Sequence, residues 1–423
     1  MDNTLVPESD FHVCVVGLGY IGLPTAAFIA SKGVRVTGVD VNTSYVESVS
    51  SGKVPFVEPG FEELLKRVVS EGFLTARTTQ VPADAYIVCV PTPFKGSDHE
   101  VDTRFIEAAI DEMVTHLEPG ALVVLESTSP PGTTRWMADR IVKLRPDLSL
   151  DEGQSNSIYV AHCPERVLPG RIMEEMETND RVIGGLSPRA TELASQLYGT
   201  FCSAALLQTD ATTAEMAKLT ENSFRDVNIA FANELSIICD SFGVDVWELI
   251  ELANHHPRVN ILNPGPGVGG HCIAVDPWFI VSSAPDTARL IKQARLVNDT
   301  KPAYVLAQVE NALQERSGTP VLLLGLAFKA DIDDLRESPA LAITQQLAER
   351  NPSVDFLVCE PNVESLPPSI EGFDNVRLSG LEEGLDNCGT VVVLVDHTEF
   401  KAIAPETLAG KQIIDTRGIL HQN

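Results

Sequence analysis

One of the eight cysteines in this chain sits where a reactive thiol would be useful. Cys272 ends the run Pro264-Gly-Pro-Gly-Val-Gly-Gly-His-Cys272, with glycine at positions 265, 267, 269 and 270. Glycine gives up the most backbone entropy on ordering, so such a run belongs in neither a helix nor a strand. It suits a loop whose backbone approaches a ligand closely and presents the thiol to it, although an ordinary surface turn would have the same composition. An unperturbed cysteine, with a pKa of about 8.5, is only slightly ionised at neutral pH, so a nucleophilic Cys272 needs help from its site. His271 and nearby backbone N–H groups are candidates for that help, and Asp276 follows one helical turn later. A second set lies in a helix-forming stretch. Lys218 and Asn222 are spaced i, i+4, and Arg225 continues along the same face. A solvated amphipathic helix would also carry that pattern. Cys163-Pro-Glu165-Arg166 closes an apolar run with a charged pair.

The clearest ligand signature is upstream. Gly17-Leu-Gly19-Tyr20-Ile21-Gly22 follows the apolar run His12–Val16 directly and opens the helix-forming segment Leu23–Ser31. In this context the first glycine permits a tight turn, the second admits a pyrophosphate close to the backbone, and the third lets helix pack on sheet. The N–H groups at the helix start would carry the pyrophosphate charge. Asp40, closing the next apolar run 18 residues after Gly22, suits the adenosine ribose hydroxyls. A carboxylate there repels a 2′-phosphate, and Val41-Asn42-Thr43 offers no arginine to receive one, so the cofactor expected is NAD rather than NADP. Thr92 and Thr128 follow later apolar runs, where the crevice of a doubly wound sheet falls.

The elements that must position these residues read as α/β. Short apolar runs at His12–Val16, Val34–Val39, Ala85–Val90, Ala121–Leu125 and Ile158–Ala161 alternate with helix-length segments such as Arg104–Leu117. That alternation implies a parallel sheet covered by helices on both faces. From Ala211 to Leu252 the pattern becomes one long proline-free helix, and Thr287–Gln314 forms a second. Strand candidates return at Val321–Leu324, Val354–Val358, Thr390–Val395 and Gln412–Ile414. The run Val321–Lys329 echoes Val13–Ile21 without its glycine fingerprint. The fold expected is therefore α/β, two Rossmann-like doubly wound parallel-sheet domains joined by a long-helix central region. The boundaries are 1–210 for the NAD-binding domain, 211–315 for a central helical dimerisation region carrying catalytic residues, and 316–423 for a second Rossmann-like domain.

Bulk properties narrow the function. With 423 residues, two or three domains are expected. A formal charge of −28 argues against nucleic acid as a partner, and no apolar run reaches the roughly 18 residues that span a bilayer. Met1–Asp10 is polar and acidic and does not read as a secretory signal, so the cytoplasm is the expected compartment. The cysteines are dispersed with no Cys-x-x-Cys pair, which leaves neither a zinc spacing nor a disulfide framework, and no metal is expected. Cys14, Cys89 and Cys359 fall in strand-like runs and read as buried, inert thiols.

Five segments in order carry a resemblance: Gly17–Gly22, Cys163–Gly170, Thr213–Asp226, Pro266–Ile273 and Phe328–Pro339. Together they resemble the nucleotide-sugar 6-dehydrogenases of the UDP-glucose/GDP-mannose dehydrogenase family, along nearly the whole chain. That resemblance implies NAD-dependent four-electron oxidation of a sugar C6 alcohol to a carboxylate through a cysteine thiohemiacetal and thioester. It implies UDP-N-acetylmannosamine as substrate, with UDP-N-acetylglucosamine or UDP-glucose as alternatives. By motif, Cys272 matches the nucleophile and Lys218 the lysine that assists proton transfer and stabilises the oxyanion. Asn222 and Asp276 match the holders of a catalytic water, and Glu165 the carboxylate that handles water or the thioester. Glu165, Arg166, Val167, Lys218, Asn222, Arg225, His256, Arg258, Gly269, Lys329 and Arg417 are the implied substrate contacts. Tyr20, Ile21 and Arg336 join the cofactor set. Arg258 is implied to reach a neighbouring subunit's site, which makes a homodimer the expected assembly, and 316–423 is implied to be the UDP-sugar-binding domain. Two other classes stay open: a two-electron hydroxyacid-type dehydrogenase in which Cys272 is idle, and a non-catalytic binder of NAD or nucleotide sugar.

Overall fold

A computed structural model of the chain describes residues 11–56, 58–96, 99–168, 170–270, 272–316 and 318–420. The first ten residues and His271, on which two expectations rest, lie outside the described residues. The chain divides into two compact units, one ending at Thr220 and the other beginning at Glu221.

The first unit is built on an eight-stranded sheet. Its strands run in the order Leu206–Asp210, Arg181–Gly185, Tyr159–His162, Leu122–Leu125, Ala85–Val88, His12–Val16, Arg35–Val39 and Leu74–Arg77. His12–Val16 is buried throughout because successive side chains point to opposite faces and both faces are covered. Val13 and Val15 pack with Leu23, Phe28 and Leu65 on one side, while Cys14 and Val16 pack with Ile106, Ile110 and Met137 on the other. The sheet departs from an all-parallel expectation at one pairing. Arg181–Gly185 runs antiparallel to Tyr159–His162, with Ala161 opposite Gly185 and His162 opposite Gly184. Neither Arg181–Gly185 nor Leu206–Asp210 stands out as an apolar run, since one begins with arginine and ends in two glycines and the other is a largely exposed edge.

In the second unit a five-stranded parallel sheet has the order Val376–Leu378, Phe356–Cys359, Val321–Leu324, Thr390–Val393 and Gln412–Asp415. Val321 and Leu323 face Leu306, Val309 and Ile343, whereas Leu322 and Leu324 face Leu385 and Phe400. The single helix expected from Ala211 to Leu252 is interrupted. It runs Ala211–Phe242, breaks at Gly243 with φ +66°, and restarts as Val246–Asn254. Asp245 caps that restart by accepting from the N–H groups of Trp247 and Glu248 at 2.8 and 3.2 Å. The helix Arg289–Glu315 is joined to the first long helix by buried polar groups. Arg295 Nη1 lies 2.5 Å from Asp226 Oδ1, and Asn298 donates to both the carboxylate and the carbonyl of Asp226. Among the described residues, no helix is long and apolar enough to cross a membrane.

Candidate active site

The glycine turn separates what the protein requires from what a ligand requires. A Cβ on Gly17, which has φ +98°, would lie 2.4 Å from the Cys89 carbonyl oxygen, and one on Gly22 would lie 2.0 Å from the Gly17 oxygen. A Cβ on Gly19 would meet nothing within 4 Å. The first and third glycines are therefore demanded by the chain itself, and the second keeps the outer surface of the turn bare. The helix Gly22–Ser31 starts without a side-chain cap, but the Leu23 N–H donates to the Gly19 carbonyl at 3.2 Å and Pro24 has none, so the Gly22 N–H is the one at its start that suits an anion. Asp40 is fixed by the backbone: Oδ2 accepts from the Leu18 N–H and Oδ1 from the Asn42 N–H, each at 2.8 Å. Each carboxylate oxygen retains a further lone pair, which suits ribose hydroxyls. Thr92 donates to the Thr128 carbonyl at 2.7 Å, so the two threonines expected at the crevice are in contact. These groups fit a dinucleotide, with Gly19 bare for the pyrophosphate and Asp40 for the ribose.

The Tyr20 hydroxyl donates to Glu58. Glu58 in turn accepts from the backbone N–H of Gly170 and Ile172, each at 2.9 Å, so the coenzyme turn is tied to the segment that follows Glu165. Glu165 is buried. Its Oε1 accepts from the N–H groups of Arg166 and Val167 at 2.6 and 3.0 Å, and its Oε2 accepts from Arg181 Nη1 at 2.9 Å. Arg166 donates to the Asp180 carbonyl at 3.0 Å. Cys89 is only partly buried, unlike Cys14 and Cys359, and its thiol donates to Glu126 at 2.9 Å.

The glycines before Cys272 also answer to their own surroundings. A Cβ on Gly265 would come within 2.5 Å of Arg417 Nη1, one on Gly269 within 2.4 Å of the Glu337 carbonyl oxygen, and one on Gly270 within 2.8 Å of the Phe328 ring. Gly269 is required by the backbone it meets and Gly270 by its ring contact and its φ of +84°, whereas the end of the Arg417 side chain can yield at Gly265. Cys272 is exposed, and its carbonyl accepts from the N–H groups of Val275 and Asp276 at 3.0 and 2.8 Å, which starts the helix Asp276–Ser283. Asp276 is buried, and Asn222 Nδ2 donates to its Oδ2 at 2.5 Å. Two residues 54 positions apart are thereby joined one helical turn from the cysteine.

The remaining candidates are more dispersed. Lys218 is half-buried on the helix Ala211–Phe242. Arg225, His256, Arg258 and Lys329 are exposed. Arg336 pairs with Asp334, at 2.6 Å, and Arg417 is held by Asp396, to which its Nε donates at 2.8 Å. Sequence reasoning passed over Glu215, one turn before Lys218. Its carboxylate accepts from the N–H groups of Gly132 and Thr134 at 2.6 and 2.7 Å and so anchors the start of the helix Thr133–Leu144. It also passed over Arg181, which is buried, whereas Glu126, buried at the end of the strand Leu122–Leu125, opens the same strand-end segment as Thr128.

A bare glycine turn with an anchored ribose-reading carboxylate, together with an exposed cysteine beside an Asn–Asp pair, defines a dinucleotide-dependent oxidoreductase. The chain belongs to the UDP-glucose/GDP-mannose dehydrogenase family: its NAD binding domain matches residues 11–202, its central domain 212–300 and its UDP binding domain 322–422. The chain is 52% identical to a UDP-N-acetyl-D-mannosamine dehydrogenase of Yersinia pestis over 96% of this chain and 98% of that relative. It is 51% identical to an NDP-N-acetyl-D-galactosaminuronic acid dehydrogenase of Ralstonia nicotianae, over 99% and 98%. Among solved structures it resembles a UDP-D-ManNAc dehydrogenase of Pyrococcus horikoshii, with 40% identity, a TM-score of 0.85, and 98% and 97% of the two chains covered. The protein is thus an NAD-dependent nucleotide-sugar dehydrogenase with a UDP-sugar as substrate.

Proposed function

We propose that the protein oxidises the C6 alcohol of UDP-N-acetyl-D-mannosamine to the carboxylate of UDP-N-acetyl-D-mannosaminuronate. The observation that carries this reading is the 52% identity, over 96% of the chain, to a relative named for that substrate. When bound, NAD accepts one hydride from the alcohol and a second from the covalent adduct, so two NAD are reduced per sugar. Lys218 assists removal of the alcohol proton and stabilises the oxyanion. The Cys272 thiolate adds to the C6 aldehyde, and the resulting thiohemiacetal can lose the second hydride to become a thioester. Asn222 and Asp276 hold a water, and Glu165 takes its proton as it displaces the cysteine and frees the acid. Arg166, Val167, Arg225, His256, Gly269, Lys329 and Arg417 serve substrate binding, and Arg336 serves the cofactor.

The assembly belongs to the same proposal. Phe224, Phe231 and Ile238 recur every seven residues along the helix Ala211–Phe242 and are 71, 54 and 46% exposed, with Phe242 at 77%. An apolar stripe of that kind needs a cover, and we take residues 211–315 as the region through which two copies form a homodimer, with Arg258 reaching the neighbouring site. The division into domains at 1–210, 211–315 and 316–423 and a cytoplasmic location complete the reading.

The equally similar relative named for a galactosaminuronic acid supports a second reading, the same chemistry on an N-acetylgalactosamine-derived sugar. NADH formation measured across UDP-N-acetylmannosamine, UDP-N-acetylgalactosamine, UDP-N-acetylglucosamine and UDP-glucose separates them. The expected result is the highest kcat/KM on UDP-N-acetylmannosamine. A higher value on the galacto sugar overturns the first reading in favour of the second.

A further inference from the structure

Beneath the coenzyme turn, one guanidinium faces two carboxylates. Arg181 is 3% exposed, and its Nη1 lies 2.9 Å from Glu165 Oε2 and 4.0 Å from Glu126 Oε1. Its guanidinium also sits over the rings of Tyr198 and Phe201, 5.3 and 5.1 Å from their centroids. Glu126, 1% exposed at the end of the strand Leu122–Leu125, accepts from Thr25 Oγ1 at 3.2 Å and from Cys89 Sγ at 2.9 Å. Thr25 lies in the helix that opens the coenzyme turn, and Cys89 forms the wall against which Gly17 and Gly22 pack. We propose that Arg181 and Glu126 are positioning residues for Glu165, and that the proton on Glu126 decides whether the buried guanidinium serves one carboxylate or two. The inference rests on the reading of Glu165 as the base that activates water at the thioester.

The electrostatics follow from burial. A buried carboxylate resists ionisation, and a like charge nearby strengthens the resistance. Burial, and then the negative charge of Glu165, push Glu126 up to about 7, against the opposing pull of Arg181 and the hydrogen bonds from Cys89 and Thr25. The other titratable groups around it stay neutral through that range. Burial pushes the thiols of Cys89 and Cys163 and the phenol of Tyr198 well above their usual values. Below neutrality Glu126 is uncharged and Arg181 belongs to Glu165 alone. Above neutrality the Glu126 anion draws on the same guanidinium, so Glu165 is held less firmly. A base held less firmly slows the step it serves, here by roughly threefold to tenfold.

The test is the pH dependence of kcat between about pH 5.5 and 9 for the full-length enzyme and Glu126→Gln, which keeps the shape of the protonated acid. The ratio of the wild-type kcat to that of Glu126→Gln, in which ionisations common to both cancel, is expected to be near one at the acid end and to fall by that factor through neutrality, with the two thermal midpoints equal at pH 6. Superimposable profiles overturn the inference. Should Glu126→Gln fail to fold, Thr25→Val supplies the second reading. The Thr25 hydrogen bond favours the ionised form, so its loss must move the break to higher pH, and an unmoved break overturns the inference. Glu165→Gln separates this claim from the one beneath it. A covalent sugar adduct on Cys272 that accumulates in Glu165→Gln, detected by mass spectrometry after acid quench, supports the role of Glu165. That result combined with an unaltered Glu126→Gln profile sinks only the positioning claim, while absence of the adduct sinks both.

Discussion

In the first sheet Gly17 turns the chain at φ +98°, and Asp40, at the end of the adjoining strand, accepts from the Leu18 N–H. In the second sheet Gly325 turns it at φ +96°, and Glu360, at the equivalent strand end, accepts from the N–H groups of Leu326 and Ala327 at 2.7 and 3.0 Å. The two corners share what a chain needs on leaving a buried parallel strand. They differ in what they leave for a ligand. Asp40 is only partly buried, whereas Glu360 is 4% exposed and closed over by His397, whose Nε2 lies 3.1 Å from its Oε2. His397 Nδ1 accepts from the Asp331 N–H at 2.9 Å, which leaves the proton on Nε2 to be donated to Glu360. Where the first turn has the bare Gly19, the second has the buried Ala327. One carboxylate is left open toward a ligand and the other is part of the framework, so the second domain must hold its nucleotide by other groups.

The largest expected effects come from the shared glycines. Gly17→Ala places a Cβ 2.4 Å from the Cys89 oxygen, and Gly325→Ala places one 2.3 Å from Val395 Cβ, both at positive φ. Calorimetric titration should show NAD affinity falling roughly 10- to 100-fold in the first and UDP affinity falling comparably in the second. Loss of both ligands in either variant would break the division of labour. Next in size is His397→Ala, which removes the imidazole donor from the buried Glu360 Oε2, while Asn362 still donates to Oε1, and should cost about 1–3 kcal/mol in urea unfolding, with the KM for NAD unchanged.

A smaller effect appears in acid. Burial raises the Glu360 carboxyl, but hydrogen bonds from His397 and the Leu326 and Ala327 N–H groups outweigh it and hold the group below the usual glutamate range. A depressed folded value means stabilisation that is present above the unfolded pKa and lost as pH falls through the folded one. Glu360→Gln should therefore flatten the acid limb of the stability profile, and an unchanged limb would count against the framework role. The smallest effect on stability belongs to Gly19→Ala. Its Cβ enters open space, so the stability should stay within about 0.5 kcal/mol, while the KM for NAD rises. A destabilised Gly19→Ala with normal NAD binding would reverse the assignment of that glycine.

The same comparison shows how far sequence reading reached. Gly17, Gly22 and Asp40 were legible because turn, helix start and ribose carboxylate recur at fixed spacing. The echo at Val321–Lys329 was legible from its apolar run, but the closing pair Glu360–His397 was not, because its members lie 37 residues apart and meet only in the fold. Asn222 and Asp276 were singled out through motifs, and only coordinates place one on the other. The break at Gly243 escaped because the apolar helical spacing continues beyond it. Arg181 and Glu215 left no local signal at all, since a charged side chain looks like surface until its burial is known. The glycines before Cys272 carry a second constraint that their spacing does not reveal, since their neighbours include Arg417, Glu337 and Phe328 of the same unit.

The central claim is that Cys272 turns an alcohol dehydrogenase into a four-electron enzyme, and stoichiometry tests it most directly. NADH released per UDP-sugar consumed, measured by absorbance against chromatographic loss of substrate, should be two for the wild type, with the uronate as product. A ratio of one, with free aldehyde as product, would contradict it.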